Sequence, residues 1–441
     1  MVEIQIPEKV NKIIHTLQEH GYEAYAVGGC VRDSFLGREP MDWDITTSAM
    51  PEETKALFPH TFDTGIEHGT ITVLLDHEGF EVTTYRVDGK YEDSRHPKEV
   101  IFVRNLKEDL LRRDFTINAM AYNEKEGLVD IFGGMDDLKA GIIRCVGNAQ
   151  ARFSEDALRI LRGIRFAAQL GFELEDETRE GMRLLAPTLR KISAERIQVE
   201  LVKTLTSSRP DLLREAWKLG ITKEFLPEFD LAMETTQETV HHMYTVGEHI
   251  LHTLLEVRAD RILRLTMLLH DIGKPYMKTM DADGVAHFKG HPEKSSELAN
   301  EILHRLKFDN DTIRKVTKLV RYHDHRMPVT PAHVRRAIHE IGEDLFPLYL
   351  EVRRADVSAQ SMYQREEKVA DIDGVEKLYH EIMERNECVS LKMLAVTGKD
   401  LIAAGMKPGK EIGQMLEHFL DLVLEYPELN QKEELLKRIE F

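Results

Sequence analysis

The chain has 441 residues, of which 42% are hydrophobic and 31% charged, with a formal net charge of −18. That length supports about two to four domains with their own apolar cores and excludes a disordered or fibrous chain. The acidic balance argues against indiscriminate binding to nucleic acid, whose affinity comes mostly from neutralised phosphates.

In chain order, residues 7–20 read as a helix closed by Gly21, and Ala24–Val27 as a strand. Gly28–Gly29 and a short helix carrying Arg32 follow, then a second strand over 41–46. Strands are also expected at 70–76, 80–86 and 127–132, where β-branched and apolar residues alternate. The polar stretch 87–99, with Gly and Pro, reads as a flexible loop between strands. From about residue 150 the pattern is almost entirely helical, and Ala157, Ile160, Leu161, Ile164 and Ala168 make an apolar stripe. Pro227 opens a turn-rich joint, a His-rich helical region runs to about 360, and 361–441 is helical with a Gly/Pro hairpin at 405–412.

The strongest local signal runs from Gly28 to Asp44. Adjacent glycines after a strand let backbone amides approach a phosphate, and Arg32 offers a fork for phosphate oxygens. On a strand, Asp42 and Asp44 point to one face, and two neighbouring carboxylates repel unless a cation joins them. Mg²⁺, which prefers oxygen ligands and binds phosphates, suits them. Glu81, on a later strand, is the candidate third carboxylate, with a solvated strand residue as the alternative. Such a site lowers the pKa of an attacking hydroxyl and holds a triphosphate.

Next comes Leu111-Arg112-Arg113-Asp114-Phe115-Thr116-Ile117-Asn118, with polar residues set among core-like apolar ones. Arg112 and Arg113 suit a triphosphate, and Asp114 and Asn118 a ribose hydroxyl; a structural salt-bridge cluster at a helix start is the alternative.

These blocks, followed by Asp130-Ile-Phe-Gly-Gly-Met-Asp-Asp-Leu and Glu155-Asp156-Ala-Leu-Arg159-Ile-Leu-Arg162-Gly-Ile-Arg165-Phe166, resemble the bacterial class II tRNA nucleotidyltransferase and poly(A) polymerase family. The resemblance is dense over about residues 20–205. It implies an α+β chain with a polymerase-β-like head containing a small mixed sheet, two catalytic carboxylates, and addition of C, C and A to a tRNA 3′ end from CTP and ATP without a nucleic-acid template. It also implies that Asp156 and Arg159 act as an amino-acid template, with Glu155 the neighbouring acidic position. The physics agrees: a carboxylate accepts from the exocyclic amine of C or A, and a guanidinium donates to ring acceptors. Glu155 and Asp156, three to four residues before Arg159, would share one side of a helix, where an ordinary ion pair is the alternative. Arg162 and Arg165 extend the basic face towards triphosphate or RNA. The loop 87–99 corresponds to the family's loop for switching from C to A.

A second constellation is His249, His270-Asp271 with Lys274, His291, His323 and Asp356. His and Asp suit one or two divalent ions such as Mn²⁺, Ni²⁺ or Mg²⁺. The order resembles the HD phosphohydrolase superfamily, which implies ligation by these six residues and hydrolysis of phosphomonoesters or of 2′,3′-cyclic phosphates. His241 and His242 rival His249, which is favoured by its regular helix. In the tail, Lys399, Lys407 and Lys410 lie by Gly turns and suit tRNA phosphates, with a solvated hairpin as the alternative.

The expected organisation is a head (1–148), an all-α neck with the nucleotide-selecting helix (149–226), an HD body (227–360) and a tRNA-binding tail (361–441). The three cysteines are far apart and suggest neither disulfides nor a zinc site. With no apolar run of about 18 residues and no signal pattern, a cytoplasmic protein without membrane contact is expected. Rival readings are an A-adding enzyme or poly(A) polymerase, or an HD phosphohydrolase with an RNA-binding head.

Overall fold

The computed structural model describes residues 4–88 and 100–439. The chain divides into two compact units, Met1–Pro227 and Glu228–Phe441. The expected head and neck (1–226) fall within the first, and the expected body and tail, apart from Pro227, within the second.

In the first unit, α1 (Glu8–Glu19) buries Val10, Ile13, Ile14 and Leu17, the spacing of one helical face. The strands of three or more residues are β1 (Ala24–Val27), β2 (Ile45–Thr47), β3 (Thr61–Gly65), β4 (Thr70–Leu75), β5 (Glu78–Thr84), β6 (Arg86–Asp88), β7 (Val100–Phe102), β8 (Met120–Asn123) and β9 (Gly127–Asp130). Seven of them form one sheet in the order β3-β4-β5-β2-β1-β8-β9. Only β2 and β5 pair in parallel, so the sheet is mixed. Helices α2 (Gly29–Phe35), α3 (Pro51–Leu57), α4 (Leu106–Leu111) and α5 (Gly134–Ala140) complete the head. Tyr25, Val27, Tyr85, Leu110, Ala119, Ala121 and Val146 form a buried cluster beneath the β1–β8 region.

Several local expectations change. The second strand begins at Ile45, not Met41: Met41 is 95% exposed, and the ladder starts only where side chains become buried. Residues 41–44 lead into it, tied by the Val27 amide donating to the Asp44 carbonyl. The last expected head strand ends at Asp130 rather than 132, because its carboxylate caps α5 through the amides of Gly134 and Met135. Residues 112–118 do not start a helix: Thr116–Asn118 is one 3-10 turn leading into β8. Of the expected loop 87–99, Val87 and Asp88 belong to β6, and 89–99 lie outside the described residues.

The neck comprises α6 (Ala149–Glu155), α7 (Leu158–Leu170), α8 (Asp176–Leu185), α9 (Ala194–Leu205) and α10 (Leu213–Lys218). The expected stripe on α7 is buried throughout. The single helix expected to carry Glu155, Asp156 and Arg159 is instead two, broken at Asp156, whose backbone is extended (φ −139°, ψ 104°).

The second unit is helical: α11 (Pro227–Glu234), α12 (Val246–Glu256), α13 (Arg261–Leu269), α14 (Lys274–Met277), α15 (His291–Arg305), α16 (Asn310–Tyr322), α17 (Pro331–Ile341), α18 (Phe346–Ser358), α19 (Arg365–Glu384), α20 (Gly398–Ala403), α21 (Lys410–Glu425) and α22 (Lys432–Leu436). Short side chains cap several of them, as Asp260 does for α13 through the amides of Ile262 and Leu263. One buried cluster joins α17, α18 and α19, and another, with Leu401, Phe419, Leu420, Val423 and Leu435, belongs to the tail. No helix among the described residues is long and apolar enough to cross a membrane.

The 3-10 turn carrying Asn118 is held from behind by α5. A Cβ at Gly134 would meet the Thr116 carbonyl oxygen, and Thr116 Oγ1 donates to Asp137 at 2.6 Å. Gly134→Ala is therefore expected to cost about 1–3 kcal/mol by overpacking; an unchanged denaturation midpoint would contradict this packing.

Candidate functional site

The head cleft, of about 440 Å³, is lined by Gly28, Gly29, Arg32, Asp44, Arg112, Arg113, Asp114, Asn118, Asp156, Leu158, Arg159, Arg162, Phe166 and Arg196. Six guanidinium groups thus share one cleft with three carboxylates. Gly28 turns the chain out of β1 with φ +84°, and a Cβ there would come within 3.0 Å of the Arg113 guanidinium. That close approach is what the glycine permits.

Buried carboxylates hold the arginines in place. Asp109, on α4, is fully buried; Arg112 Nε donates to it at 2.9 Å and Arg113 lies at 3.4 Å. Thr46 Oγ1 ties the same carboxylate to β2. Asp114 accepts from Arg162 Nε at 2.7 Å, from Asn118 at 3.2 Å and from the Phe115 amide at 2.8 Å. Arg32 donates to Asn118 Oδ1 at 2.5 Å and to both oxygens of Asp33. Phe166 lies under three cations, with Arg165 at 4.0 Å, Arg32 at 5.1 Å and Arg162 at 5.4 Å from its ring centre.

Asp44 projects from the extended lead into β2. Desolvation raises its pKa, Arg113 pulls it down, and Asp42 pushes it up again. A carboxyl with this conflict gains from a cation, which fits an oxygen-preferring divalent ion. Asp42 is exposed and does not line the cleft. Glu81 is also exposed; it and Asp44 each precede the parallel Ile45–Val82 pair by one residue, so they are neighbours across the two strands.

Glu155, Asp156 and Arg159 are arranged differently from the expected one-sided helix. Arg159 Nη1 donates to Glu155 Oε2 at 2.7 Å and to the Arg152 carbonyl, and its Nη2 donates to the Arg112 carbonyl. Asp156 turns away from that pair towards Arg196 on α9, with Nη2 at 2.7 Å and Nη1 at 3.3 Å. Glu155 stands behind Arg159 rather than on the cleft wall. Arg165 does not line the cleft either; its Nε donates to buried Glu200 at 2.6 Å. Sequence reasoning did not single out Asp109, Phe166, Arg196 or Glu200. Of these, only Phe166 belonged to a quoted block, and an isolated Arg or Glu on a neck helix carries no local signal.

In the second unit, His249 from α12, His270 and Asp271 after α13, His291 at the start of α15, His323 after α16 and Asp356 from α18 converge and are buried. The Nε2 atoms of His249, His270, His291 and His323 lie 3.6, 3.3, 3.3 and 3.4 Å from Asp271 oxygens. Two candidate ligand groups share Asp271: one adds His249 and His270, the other His291 and His323. Asp356 stands 2.9 Å from His249 Nε2. The Nδ1 atoms of His270, His291 and His323 face the carbonyls of Met267, Phe288 and Val320 at 2.7–2.8 Å. A carbonyl can only accept, so each Nδ1 donates and each neutral ring turns an Nε2 lone pair inward. His249 and His270 then face each other at 3.3 Å, and His291 and His323 at 3.2 Å. The close His291 and His323 lone pairs would be relieved by a cation, whereas His249 Nε2 also faces the Asp356 carboxylate at 2.9 Å. Neither Asp271 oxygen accepts a well-formed hydrogen bond, although Lys274 Nζ lies 2.7 Å from one of them. Burial would raise the Asp271 pKa, but the Lys274 ammonium holds it well below the usual carboxylate range. The donor set fits divalent ions, with Asp271 common to both candidate groups.

His242 lies beside this cluster, its ring centre 5.0 Å from that of His249, and burial with Lys274 lowers its pKa to about 2. His241 packs on Tyr363 instead. A cleft of about 780 Å³ opens over the cluster, lined also by Lys274, Lys289, Arg326 and Gln360. Lys399 is exposed at the start of α20, and Lys407 and Lys410 are exposed at the turn between α20 and α21.

Family models match along the chain: "Poly A polymerase head domain" over residues 24–144, "Probable RNA and SrmB- binding site of polymerase A" over 171–233, and "tRNA nucleotidyltransferase domain 2" over 287–439. The CCA-adding enzyme of Limosilactobacillus reuteri is 34% identical over 435 residues, 98% of this chain and 96% of its own. The chain belongs to the CCA-adding enzyme family. The family's Levilactobacillus brevis member is 36% identical, over 93% of this chain and 91% of its own. Among solved structures, the Bacillus stearothermophilus CCA-adding enzyme in complex with CTP matches at TM-score 0.72 and 28% identity, over 98% of both chains. The Thermotoga maritima CCA-adding enzyme complexed with tRNA has the same fold at TM-score 0.62 and 22% identity, over 99% of this chain and 97% of its own. Like its family, the chain is a nucleotidyltransferase.

Asp114 offers a test of the head's electrostatics. Burial would raise its pKa, but Arg162 foremost, then Asn118 and the Phe115 amide, lower it to about 2. A lowered folded-state pKa adds stability above the unfolded value that is lost as pH falls through the folded one. Asp114→Asn is expected to cost about 2 kcal/mol at neutral pH. The difference from wild type should shrink between about pH 4 and pH 2, checked by unfolding midpoints across that range.

Proposed function

We infer that the chain adds C, C and A to tRNA 3′ ends, using CTP and ATP, and that the head cleft is where each nucleotide is chosen and joined. The observation that carries this reading is the meeting of Asp44, Asp156 and six arginines, Arg159 among them, in one cleft. Mg²⁺ held by Asp42 and Asp44, with Glu81 beside them, would activate the tRNA 3′-hydroxyl and stabilise the triphosphate. Gly28, Gly29, Arg32, Arg112 and Arg113 receive the triphosphate, whose negative charge the arginines neutralise. Asp114 and Asn118 orient the ribose, and Arg162 fixes Asp114. Asp156 accepts from the exocyclic amine of C or A, and Arg159 donates to the ring acceptor beside it. The 3′-oxygen bonds to the α-phosphorus, its proton leaves, and the α–β bond breaks to release pyrophosphate. The exposed Lys399, Lys407 and Lys410 suit phosphates of the tRNA body. A tRNA substrate suits a cytoplasmic enzyme.

The test uses tRNA transcripts lacking CCA, CA or A, with CTP and ATP separately and together. Incorporation of C on the first and A on the last is expected. A-only incorporation on tRNA ending in CC would favour an A-adding enzyme. Asp42→Ala with Asp44→Ala should lower incorporation at least a thousandfold; retained activity would refute the assignment.

A second reading concerns the His cluster. The Asp271 oxygens, which accept no well-formed hydrogen bond, and the converging Nε2 atoms support a metal-dependent phosphohydrolase site of the HD type. Such ions would supply a nucleophilic water at neutral pH. His249, His270, Asp271, His291, His323 and Asp356 hold them, and Lys274 faces the phosphate. Phosphomonoesters and 2′,3′-cyclic phosphates are the proposed substrates. Purified protein is expected to retain Ni²⁺ or Mn²⁺ and to hydrolyse such esters. Asp271→Ala should lose both while still adding CCA. Wild-type protein that binds no divalent ion would rule this reading out.

A further inference from the structure

The face of the head sheet that carries Asp44 continues beyond the nucleotide cleft. In the strand order β3-β4-β5-β2-β1-β8-β9, the cleft residues Gly28 and Gly29 follow β1 and Asn118 precedes β8, so they lie to one side of β2. On the other side of β2 the strand pairing sets up a row. Phe62 of β3 pairs with Thr72 of β4, and Thr72 pairs with Glu81 of β5. Glu81 precedes Val82, just as Asp44 precedes Ile45, the parallel partner of Val82. Partners across a ladder project to the same face, so Phe62, Thr72, Glu81 and Asp44 form one line, three inter-strand steps or roughly 14 Å long. Ile71, Val73, Phe80 and Val82 alternate with them and are buried on the opposite face.

The outer part of this row is open and neutral. Phe62 is 56% exposed, on the edge strand. Half-buried Leu74 shares its face and pairs with Gly79, which leaves the floor there without a side chain. A Cβ at Gly79 would come within 3.0 Å of Thr72 Cγ2. The hydroxyls of Thr64 and Thr72 meet at 2.9 Å, and those of Thr70 and Thr83 at 3.0 Å. In each pair one hydroxyl donates and the other has a proton left to give. An exposed ring, a bare floor and neutral hydroxyls suit bases and sugar hydroxyls, whereas a phosphate track would need cations.

We propose that Phe62 is a positioning residue for the RNA substrate, a platform on which a base near its 3′ end stacks on the β5-β4-β3 side of Asp44. This rests on the reading of Asp42 and Asp44 as the carboxylates of nucleotidyl transfer. Attacking and leaving oxygens stand roughly in line through the α-phosphorus. In that reading the leaving pyrophosphate lies with Gly28, Gly29 and the arginines. The attacking hydroxyl, and the strand that ends in it, therefore arrive from the opposite side, over Glu81. A stacked strand rises about 3.4 Å per nucleotide, so a row of roughly 14 Å matches its last few nucleotides. Stacking tolerates any base, because every base has a π-face. That suits an RNA end whose last base changes at each addition.

The test measures the dissociation constant of tRNA lacking CCA for wild type, Phe62→Ala, Phe62→Leu and Phe62→Tyr, together with the KM for CTP and the unfolding midpoints. The same tRNA is also made with each of its last four bases removed in turn. Phe62→Ala is expected to weaken tRNA binding about tenfold, the size of one lost base–aromatic stack, with the KM for CTP and the midpoint near wild type. Phe62→Tyr should bind as wild type. Phe62→Leu, which keeps bulk without a π-face, should resemble the alanine variant, and it decides if the alanine variant does not fold. One abasic tRNA should show the same weakening with wild type and no further weakening with Phe62→Ala. Unchanged tRNA affinity in Phe62→Ala overturns the proposal. So does a penalty that adds equally to the loss of every base, or a leucine variant that binds as wild type. If Asp42→Ala with Asp44→Ala still adds nucleotides, the reading of those carboxylates fails separately, because the binding measurements involve no chemical step.

Discussion

Asp109 and Asp114 lie on either side of Arg112 and Arg113, and both are buried. Together they set three of the arginines that crowd the head cleft, Arg112 and Arg113 through Asp109 and Arg162 through Asp114. Guanidinium groups this close would repel and splay into solvent without fixed counter-charges. A buried carboxylate with two arginine partners turns that repulsion into orientation, because each fork has one direction in which to donate. The sheet supplies the rigidity: Asp109 is bonded to Thr46 of β2 and to the Arg86 amide of β6, so the anchor is part of the strand framework. The arginines can then neutralise a triphosphate without first paying to be ordered.

The same logic recurs in the second unit with the signs reversed. There one buried carboxylate, Asp271, stands among four inward-facing imidazoles. Backbone carbonyls fix three of those rings by their Nδ1 atoms, as Asp109 fixes two guanidiniums. In the head, anions hold cations ready for an anionic substrate. In the second unit, neutral and anionic donors are held ready for cations. Gln360, which donates to Asp356 and accepts from Lys368, extends that fixing one step outward.

Much of this was legible from spacing. Gly28, Gly29, Arg32, Asp44, Arg112, Asp114 and Asn118 sit in short blocks whose pattern implied phosphate chemistry, and all line one cleft. The six His and Asp residues that converge in the second unit were legible as an ordered set, because each lies at or near a helix end where a short motif survives. Other features were not. Arg196 and Glu200 stand 40 and 35 residues from their partners, and nothing local marks them. Asp109 reads as one more acidic residue on an amphipathic helix until its burial is known. The Asp130 block, quoted as part of the family pattern, builds the cap of α5 rather than lining the cleft.

The paired carboxylates show the division most clearly. By itself the sequence determined the residue types, their order, and the family to which they belong, because those depend on local chemistry and on motif spacing. It also suggested a strand over Asp42 and Asp44 and a single helix over Glu155 to Arg159. Tertiary structure decided otherwise on both: strand β2 starts after Asp44, and the helix breaks at Asp156. The reason is the same in each case. A charged side chain takes the backbone geometry that lets it meet a distant partner or a cation, and the position of that partner is set by packing rather than by its neighbours in the chain.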